Sequence, residues 1–303
     1  MKETSVFKPL DMAMLPMMEH TLVFENEFML TDNFGLPQQM DEVSYFVSPL
    51  YPFKIDFTLM LFCTAGTMSL RINLQECHLG GGQVLVVLPG TVGECLEVST
   101  DCQVAMIAYV GRKYEEGIDA TSSMQFMKYL VRQSVLPVSP EEMDESLAIY
   151  RAMRRKVEQP DFEFTREALN GYMQVLFCNG RQWMSRYTRQ QEATQVQSRQ
   201  QMIFERFLWL VQKHYREERG IAFYAGKLCL TPKYLSTVIY QCGGRHASEW
   251  IRDYVILEAK ALLKSRQYTA QQVSDLLNFP NASFFGKYFK AATGYSPRQY
   301  MLE

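Results

Sequence analysis

Two segments in the last hundred residues share one pattern of apolar and polar positions, displaced by fifty residues. In each, apolar side chains recur at i, i+3, i+4 and i+7, the spacing of one buried helix face. These faces comprise Leu235, Val238, Ile239 and Cys242 in the first copy, and Phe285, Tyr288, Phe289 and Ala292 in the second. The opposite faces are polar or basic, with Lys233, Ser236, Thr237 and Tyr240 in the first copy and Ser283, Gly286, Lys287 and Lys290 in the second. The pattern predicts two amphipathic helices.

A short helical run and a tight turn precede each amphipathic helix. Such a turn usually needs a residue with positive φ, and Asn278 and Cys229 occupy that position. Thr231-Pro232 predicts the N-cap and first residue of one helix, and Asn281 predicts the cap of the other. A helix, a turn and a second helix that fits the DNA major groove define a helix-turn-helix motif. We therefore expect two such motifs.

A continuous helical pattern from Ala247 to Ser265 separates the two copies. About 19 residues at 1.5 Å each make a rod of about 28 Å, comparable with one DNA turn of about 34 Å. The alternative, a plain all-α domain with solvated lysine faces, does not explain a repeat joined by such a rod. We predict an all-α domain at residues 205–303, with two helix-turn-helix motifs joined by a linker helix. Its expected DNA-binding residues are Lys233, Ser236, Thr237, Tyr240, Asn281, Ser283, Lys287 and Lys290.

Three motifs in this segment resemble the DNA-binding domain of the AraC/XylS family of transcription regulators. They are Leu230-Thr-Pro-Lys-Tyr-Leu-Ser236, Glu258-Ala-Lys-Ala-Leu-Leu263, and Phe284-Phe-Gly-Lys-Tyr-Phe-Lys290 followed by Gly294-Tyr-Ser-Pro-Arg-Gln-Tyr300. The resemblance implies seven helices, with both recognition helices in successive major grooves. The chain departs from it at Thr237, where the family often has arginine. The implied partners are a double-stranded DNA operator and, for an activator, RNA polymerase. The sequence does not distinguish activation from repression.

The amino-terminal half alternates between apolar and polar residues instead. Thr67–Leu74 predicts a half-buried strand, and further short apolar runs lie between turn signals such as Gly80–Gly82 and Pro89-Gly90. We predict an antiparallel β-barrel or jelly roll over residues 1–120. Its strand order resembles the cupin-like sensor module of many family members, which implies a small-molecule effector. Candidate pocket residues, which can equally be a filled core, are Phe57, Leu59, Met68, Leu70 and Ile72.

Residues 121–189 return to a helical pattern. Ser139-Pro-Glu-Glu142 predicts a capping box at the start of one helix, and a second run carries Leu169, Met173 and Leu176 on one stripe. The family resemblance implies that this segment forms a homodimer; the alternative is that it only packs on the barrel. Arg154-Arg-Lys156 predicts a solvated face. Residues 190–204 are polar and predict a linker or an exposed helical extension.

The net charge also differs between the amino-terminal part of the chain and the predicted DNA-binding domain. Residues 201–303 carry 14 Lys+Arg against 8 Asp+Glu, whereas the whole chain of 303 residues has a net charge of −2. The remainder therefore has a net charge of −8, so only the carboxy-terminal part suits phosphate contacts. No apolar run approaches the roughly 20 residues that span a bilayer, and the first residues do not form a secretory signal. The seven cysteines lack framework spacing, which indicates free thiols and a cytoplasmic location.

A cupin-type enzyme with an accessory helical domain is the main alternative. A cupin metal site needs two or three histidines with a carboxylate, and only His20 and His78 lie in this half, with His78 expected in a solvent-facing loop. We therefore expect no metal, cofactor or catalytic residue. A nucleic-acid binder without sequence preference is disfavoured by the modest charge and the two ordered polar faces. The sequence thus predicts a sequence-specific, DNA-binding transcription regulator, effector-responsive through its barrel.

Overall fold

The computed structural model describes residues 20–35, 52–111, 126, 129–130, 133–192 and 199–302. The main division of the chain into two compact units falls between residues 194 and 195. The first unit combines β-strands with two long helices, and the second is helical. In the described part of the chain, no helix is both long and apolar enough to cross a membrane.

Ten short strands form two antiparallel sheets within the described residues. The six-stranded sheet has the order β1-β2-β9-β4-β7-β10, and the four-stranded sheet has the order β3-β8-β5-β6. The strands are β1 Leu22–Phe24, β2 Phe28–Asp32, β3 Phe53–Lys54, β4 Thr58–Ala65, β5 Thr67–Ile72, β6 Gln75–Gly80, β7 Gln83–Val87, β8 Val92–Val98, β9 Gln103–Tyr109 and β10 Val135–Pro137. The antiparallel arrangement is confirmed, but the predicted barrel is not closed. Gly81 and Gly82 carry the chain from β6 in one sheet to β7 in the other.

The hairpin between β5 and β6 corrects two expectations. Asn73 and Leu74 have φ values of 48° and 70° and form its turn, so the predicted strand ends at Ile72, which pairs with Gln75. Leu74 continues the apolar alternation but belongs to the turn. His78 lies on β6 rather than in a loop, and its Nδ1 is 3.0 Å from Ser69 Oγ.

Two helices cover one face of the six-stranded sheet. They are α1 (Pro140–Val157) and α2 (Thr165–Glu192). Ser139 caps α1 and forms the predicted capping box with Glu142. Alternate residues of the strands pack against buried residues of both helices because side chains alternate between faces along a strand. This core includes Leu30, Met60, Phe62, Val84, Val86, Ile107, Met143, Leu147, Tyr150, Leu169, Met173 and Leu176.

Arg154 belongs to a buried polar network, which corrects the expectation of a solvated Arg154-Arg-Lys156 face. Its Nη1 donates to the His20 carbonyl oxygen at 2.6 Å and to the Tyr150 hydroxyl at 3.1 Å. The Tyr150 hydroxyl donates to Asp32 Oδ2 at 2.7 Å, and Arg154 Nη1 lies 3.3 Å from the same oxygen. The network joins α1 to β2 and the residues before β1. Arg155, one position further on, is exposed.

Seven helices form the second unit within the described residues 199–302. They are α3 Arg199–His214, α4 Ile221–Lys227, α5 Pro232–Gly243, α6 Ala247–Lys264, α7 Ala270–Leu276, α8 Ala282–Thr293 and α9 Pro297–Leu302. The predicted rod is α6, which ends one residue earlier than expected. The predicted linker at residues 190–204 includes the end of α2 and the start of α3, and residues 193–198 lie outside the described part.

Helix α6 is the centre of this unit. It contacts α3, α5, α7, α8 and α9, and most of its length is buried, with Val255, Ala259 and Leu263 fully so. The amphipathic faces predicted for α5 and α8 point into the same core. Leu235, Val238, Ile239, Phe285 and Phe289 are fully buried. The predicted burial is therefore confirmed at these five positions.

Candidate nucleic-acid interface

The turns that lead into α5 and α8 have the same geometry. Cys229 and Asn278 have φ values of 55° and 53°, so the predicted positive φ is confirmed at both. The Leu230 amide donates to the Ala225 carbonyl, and the Phe279 amide donates to the Ser274 carbonyl, each at 2.9 Å. This 6→1 hydrogen bond runs from the residue after the left-handed residue to the carbonyl five positions earlier. It is the bond that ends a helix in the Schellman motif. Both preceding helices therefore stop by the same mechanism.

Helices α5 and α8, which we call the repeat helices, match residue by residue. Each has 12 residues. Thr231 Oγ1 accepts from the amide of Tyr234, and Asn281 Oδ1 accepts from the amide of Phe284, so both predicted N-caps are confirmed. Each helix ends at a left-handed glycine, Gly244 or Gly294. Caps thus fix both ends of both helices at equivalent positions.

The structure exposes most of the predicted DNA-binding residues on the surface of these helices. Exposed are Lys233, Thr237, Tyr240, Asn281, Ser283, Lys287 and Lys290, whereas Ser236 and Gly286 are half-buried. Thr237 Oγ1 donates to the Lys233 carbonyl oxygen of the preceding turn at 3.1 Å. The Tyr240 ring lies against His246, with centroids 5.0 Å apart. Each helix thus presents a hydroxyl- and lysine-rich face.

The predicted buried faces are wrong in one position. Ala292, assigned to the apolar face of α8, is exposed, and its counterpart Cys242 in α5 is half-buried. Both residues lie in the last turn of their helix. The i+7 position of the pattern therefore predicts burial less reliably than the i, i+3 and i+4 positions do.

Two aromatic residues on the same helices were missed by the sequence reasoning. Tyr234 and Phe284 are 41% and 62% exposed. Tyr234 immediately precedes the buried Leu235, and Phe284 immediately precedes the buried Phe285. In the sequence, both aromatic residues therefore resemble core residues. The fifty-residue displacement between them was the signal that could have identified them.

Arg219 links the two helix pairs and was also missed. Its guanidinium carbon lies 4.0 Å from the centroid of the Phe279 ring. It donates to the carbonyl oxygens of Leu277 and Asn278 in the second turn. Because Arg219 lies two residues before α4, it fixes the start of the first helix pair to the turn of the second. Burial lowers the pKa of its guanidinium.

Glu258 is a fully buried carboxylate in the middle of α6. Arg216, which follows α3, donates from Nε to Glu258 Oε2 at 2.8 Å and also contacts Oε1. Burial raises the pKa of Glu258, but the hydrogen bonds and positive charges of its neighbours, Arg216 first among them, together outweigh burial, so the pKa lies below its usual value. The ion pair holds the end of α3 against the rod that carries both repeat helices.

The first unit contains a small, mainly apolar cavity between the six-stranded sheet and α2. Its volume of about 20 Å³ accommodates roughly one water molecule. Lining residues include Met60, Val86, Tyr109, Met173, Phe177 and Trp183. The predicted pocket residues Phe57, Leu59, Met68, Leu70 and Ile72 are all buried and do not line this cavity. Leu59 points to the opposite face of β4 from Met60.

Comparison with known proteins supports a helix-turn-helix domain in this part of the chain. Residues 224–302 match the family described as "Helix-turn-helix domain". Over 69 residues the chain is 36% identical to the uncharacterized HTH-type transcriptional regulator YobQ of Bacillus subtilis (strain 168). This match covers 23% of the chain and 29% of that relative. The chain thus spans less than a third of the curated relative it matches.

Two solved structures are similar over different extents. The C-terminal domain of AraT, a response regulator from Geobacillus stearothermophilus, is 28% identical, with coverage of 34% of this chain and 87% of that one, and a TM-score of 0.33. ToxT from Vibrio cholerae O395 is 14% identical, with coverage of 83% and 92%, and a TM-score of 0.39.

The family match, the curated relative and the paired helix geometry identify residues 224–302 as a helix-turn-helix domain. The sequence motifs of this domain resemble those of the AraC/XylS family of transcription regulators.

Proposed function

We propose that the chain is a sequence-specific transcription regulator that binds an operator through two helix-turn-helix motifs. In this proposal α4–α5 is one motif, α7–α8 is the other, and α6 joins them. The observation that carries it is the equivalence of α5 and α8 in length, caps and exposed face, fifty residues apart on one rod. Its DNA-binding residues are those predicted from the sequence, from Lys233 to Lys290.

The charge distribution supports DNA as the partner. Three lysines, Lys233, Lys287 and Lys290, are exposed on the repeat helices. Phosphate contacts by lysines release counterions and so give binding that weakens with salt. A net charge of +6 over residues 201–303 is moderate, so two motifs together, or two subunits, are needed for tight binding.

The first unit is, in this proposal, a cupin-like sensor at residues 1–120 with a helical dimerisation segment at 121–189. One face of α1 and α2 packs on the sheet, so the opposite face, which includes the 43% exposed Val175 on α2, is the surface proposed for a second subunit. A small apolar effector fits the composition of the cavity beside α2, although its walls must move to admit more than a water molecule. RNA polymerase becomes a further partner if the chain activates transcription.

Lysine variants of the repeat helices test the proposal. The full chain is first used to select an operator from random duplex DNA. Lys287→Ala and Lys233→Ala are expected to weaken binding to that operator while helical circular dichroism and melting temperature stay nearly unchanged. Loss of a base contact should cost about 1–3 kcal/mol, and loss of a phosphate contact should lower the salt slope by about one unit.

Lys213→Ala is the matched control, because Lys213 is exposed on α3 and not on a repeat helix. Its operator affinity and salt slope should equal those of the wild type. If Lys287→Ala and Lys233→Ala both bind as tightly as the wild type does, the assigned face is wrong.

A further inference from the structure

Each repeat helix exposes a large aromatic ring at its third helical residue. Tyr234 occupies this position in α5 and Phe284 occupies it in α8. Single exposed aromatic residues are common on protein surfaces and need no explanation. Here, however, the same placement occurs in both copies, next to the residues that anchor each helix in the core. An exposed ring at the equivalent position of both repeat helices points to a shared contact.

Both rings sit on a backbone that the N-cap holds in place. The amide of Phe284 donates to Asn281 Oδ1 at 2.9 Å, and the amide of Tyr234 donates to Thr231 Oγ1 at 3.2 Å. The next residue in each helix, Leu235 or Phe285, is fully buried. Aromatic side chains have only two rotatable bonds, so such rings bind with little loss of conformational entropy. The first turn is also the part of a recognition helix that contacts base edges.

The other side chains of the repeat helices indicate which DNA groups the rings can contact. Neither repeat helix contains an arginine, the side chain that most often forms a bidentate contact with guanine. Lys287 lies three residues after Phe284, and residues at this spacing are neighbours on a helix surface. The groove edge of thymine carries a methyl group, which apolar side chains contact. A ring beside a lysine suits that methyl group and an adjacent phosphate.

We propose that Tyr234 and Phe284 each contact the 5-methyl group of a thymine, one in each of two successive major grooves. The two rings thereby select thymine at two positions about one helical turn, roughly 10 base pairs, apart. This inference rests on the proposed function, because it requires both repeat helices to enter DNA.

Deoxyuridine substitution tests the contact one methyl group at a time. Deoxyuridine pairs as thymine does but lacks the 5-methyl group, so it removes only the group in question. The operator selected by the full chain is resynthesised with each thymine replaced singly, and binding is titrated by fluorescence anisotropy. In each half-site, two replacements about 10 base pairs apart should each weaken binding about three- to fivefold, as expected for one buried methyl group.

Variants assign each sensitive thymine to a ring. Phe284→Ala should bind the unmodified operator at least about three- to fivefold more weakly and lose sensitivity at one thymine of each half-site only. Tyr234→Ala should lose sensitivity at the other. Phe284→Tyr and Tyr234→Phe retain the ring and should retain the sensitivity. Phe164→Ala is the matched control, because Phe164 is 63% exposed and lies in the first unit; it should behave as the wild type.

The outcomes separate this inference from the proposed function. If the chain binds its operator but no single deoxyuridine weakens binding, or if both sensitivities persist in Phe284→Ala and Tyr234→Ala, the thymine contact is overturned. If the alanine variants remain sensitive to deoxyuridine at both thymines, the two rings have another role, such as a contact with a protein. If the chain selects no duplex at all, the proposed function fails and the thymine contact fails with it.

Discussion

Left-handed backbone at Cys229 and Asn278 is the most constrained feature at the scale of single residues. The Cβ atom of an L-residue makes this region unfavourable, and asparagine tolerates it better than most other non-glycine residues. In both turns the αL residue allows the next amide to reach the carbonyl that closes the Schellman motif. The orientation of each repeat helix thus depends on one backbone conformation.

Substitutions at Asn278 should reveal this constraint. Asn278→Gly is expected to be neutral or mildly stabilising, because glycine reaches positive φ without strain. Asn278→Val should lower the free energy of unfolding by about 1–2 kcal/mol, because a β-branched residue at positive φ is strained. Thermal unfolding of the full chain measures both. Cys229→Gly is a companion variant and should stabilise. Equal melting temperatures for the glycine and valine variants of Asn278 would contradict the role given to the turn.

Local residue signals were predictable, and distant partners were not. Asn278, Thr231 and Asn281 act on residues within six positions of themselves, so sequence alone identified their conformations and caps. Arg219 contacts carbonyl groups 58 and 59 residues away, and no local pattern encodes that distance. The exposed rings of Tyr234 and Phe284 were missed because an apolar residue beside a core position looks like core.

At the scale of elements, the length of a periodic pattern decided how well it was predicted. Helix α6 sustains its apolar period over five turns, and its end was predicted to within one residue. The apolar alternation of β5 continues through Leu74, although Leu74 lies in the turn. The sequence therefore did not predict the end of the strand, which only the pairing with β6 defines. Closure of the barrel depends on pairing between distant strands, which alternation does not specify. Hence the strands were predictable, whereas the choice between a closed barrel and two separate sheets was not.

Substitutions of Arg154 and Arg155 test how the polar network attaches α1 to β2 and to the residues before β1. Arg154→Ala removes hydrogen bonds to the His20 carbonyl and the Tyr150 hydroxyl and should destabilise the first unit by about 1–3 kcal/mol. Arg155→Ala changes an exposed neighbour of the same type and should alter stability by less than about 0.5 kcal/mol. Urea unfolding of the full chain, followed by tryptophan fluorescence and circular dichroism, measures both. Equal effects for the two variants would mean that the network does not contribute.

At the scale of the whole molecule, each unit has its own buried core. Helix α6 and the repeat helices bury their apolar faces within residues 199–302, and this segment is of ordinary domain size. We therefore expect a fragment of residues 199–303 to fold alone, with cooperative thermal unfolding and helical circular dichroism. It should bind the selected operator specifically. A fragment that lacks a cooperative transition would show that its core is insufficient.

Dimerisation through residues 121–189 predicts how the full chain differs from this fragment. A dimer that engages one half-site makes contact with the second half-site intramolecular, which raises affinity by a factor of about 10²–10⁴ without any new contact. The full chain should therefore exceed the fragment by that factor on two-site DNA and by much less on one-site DNA. Sedimentation of the full chain and of residues 1–194 tests the premise, and titrations on both DNAs test the consequence. A monomeric full chain with no advantage on two-site DNA would leave residues 121–189 with a packing role only, since α1 and α2 already cover the six-stranded sheet.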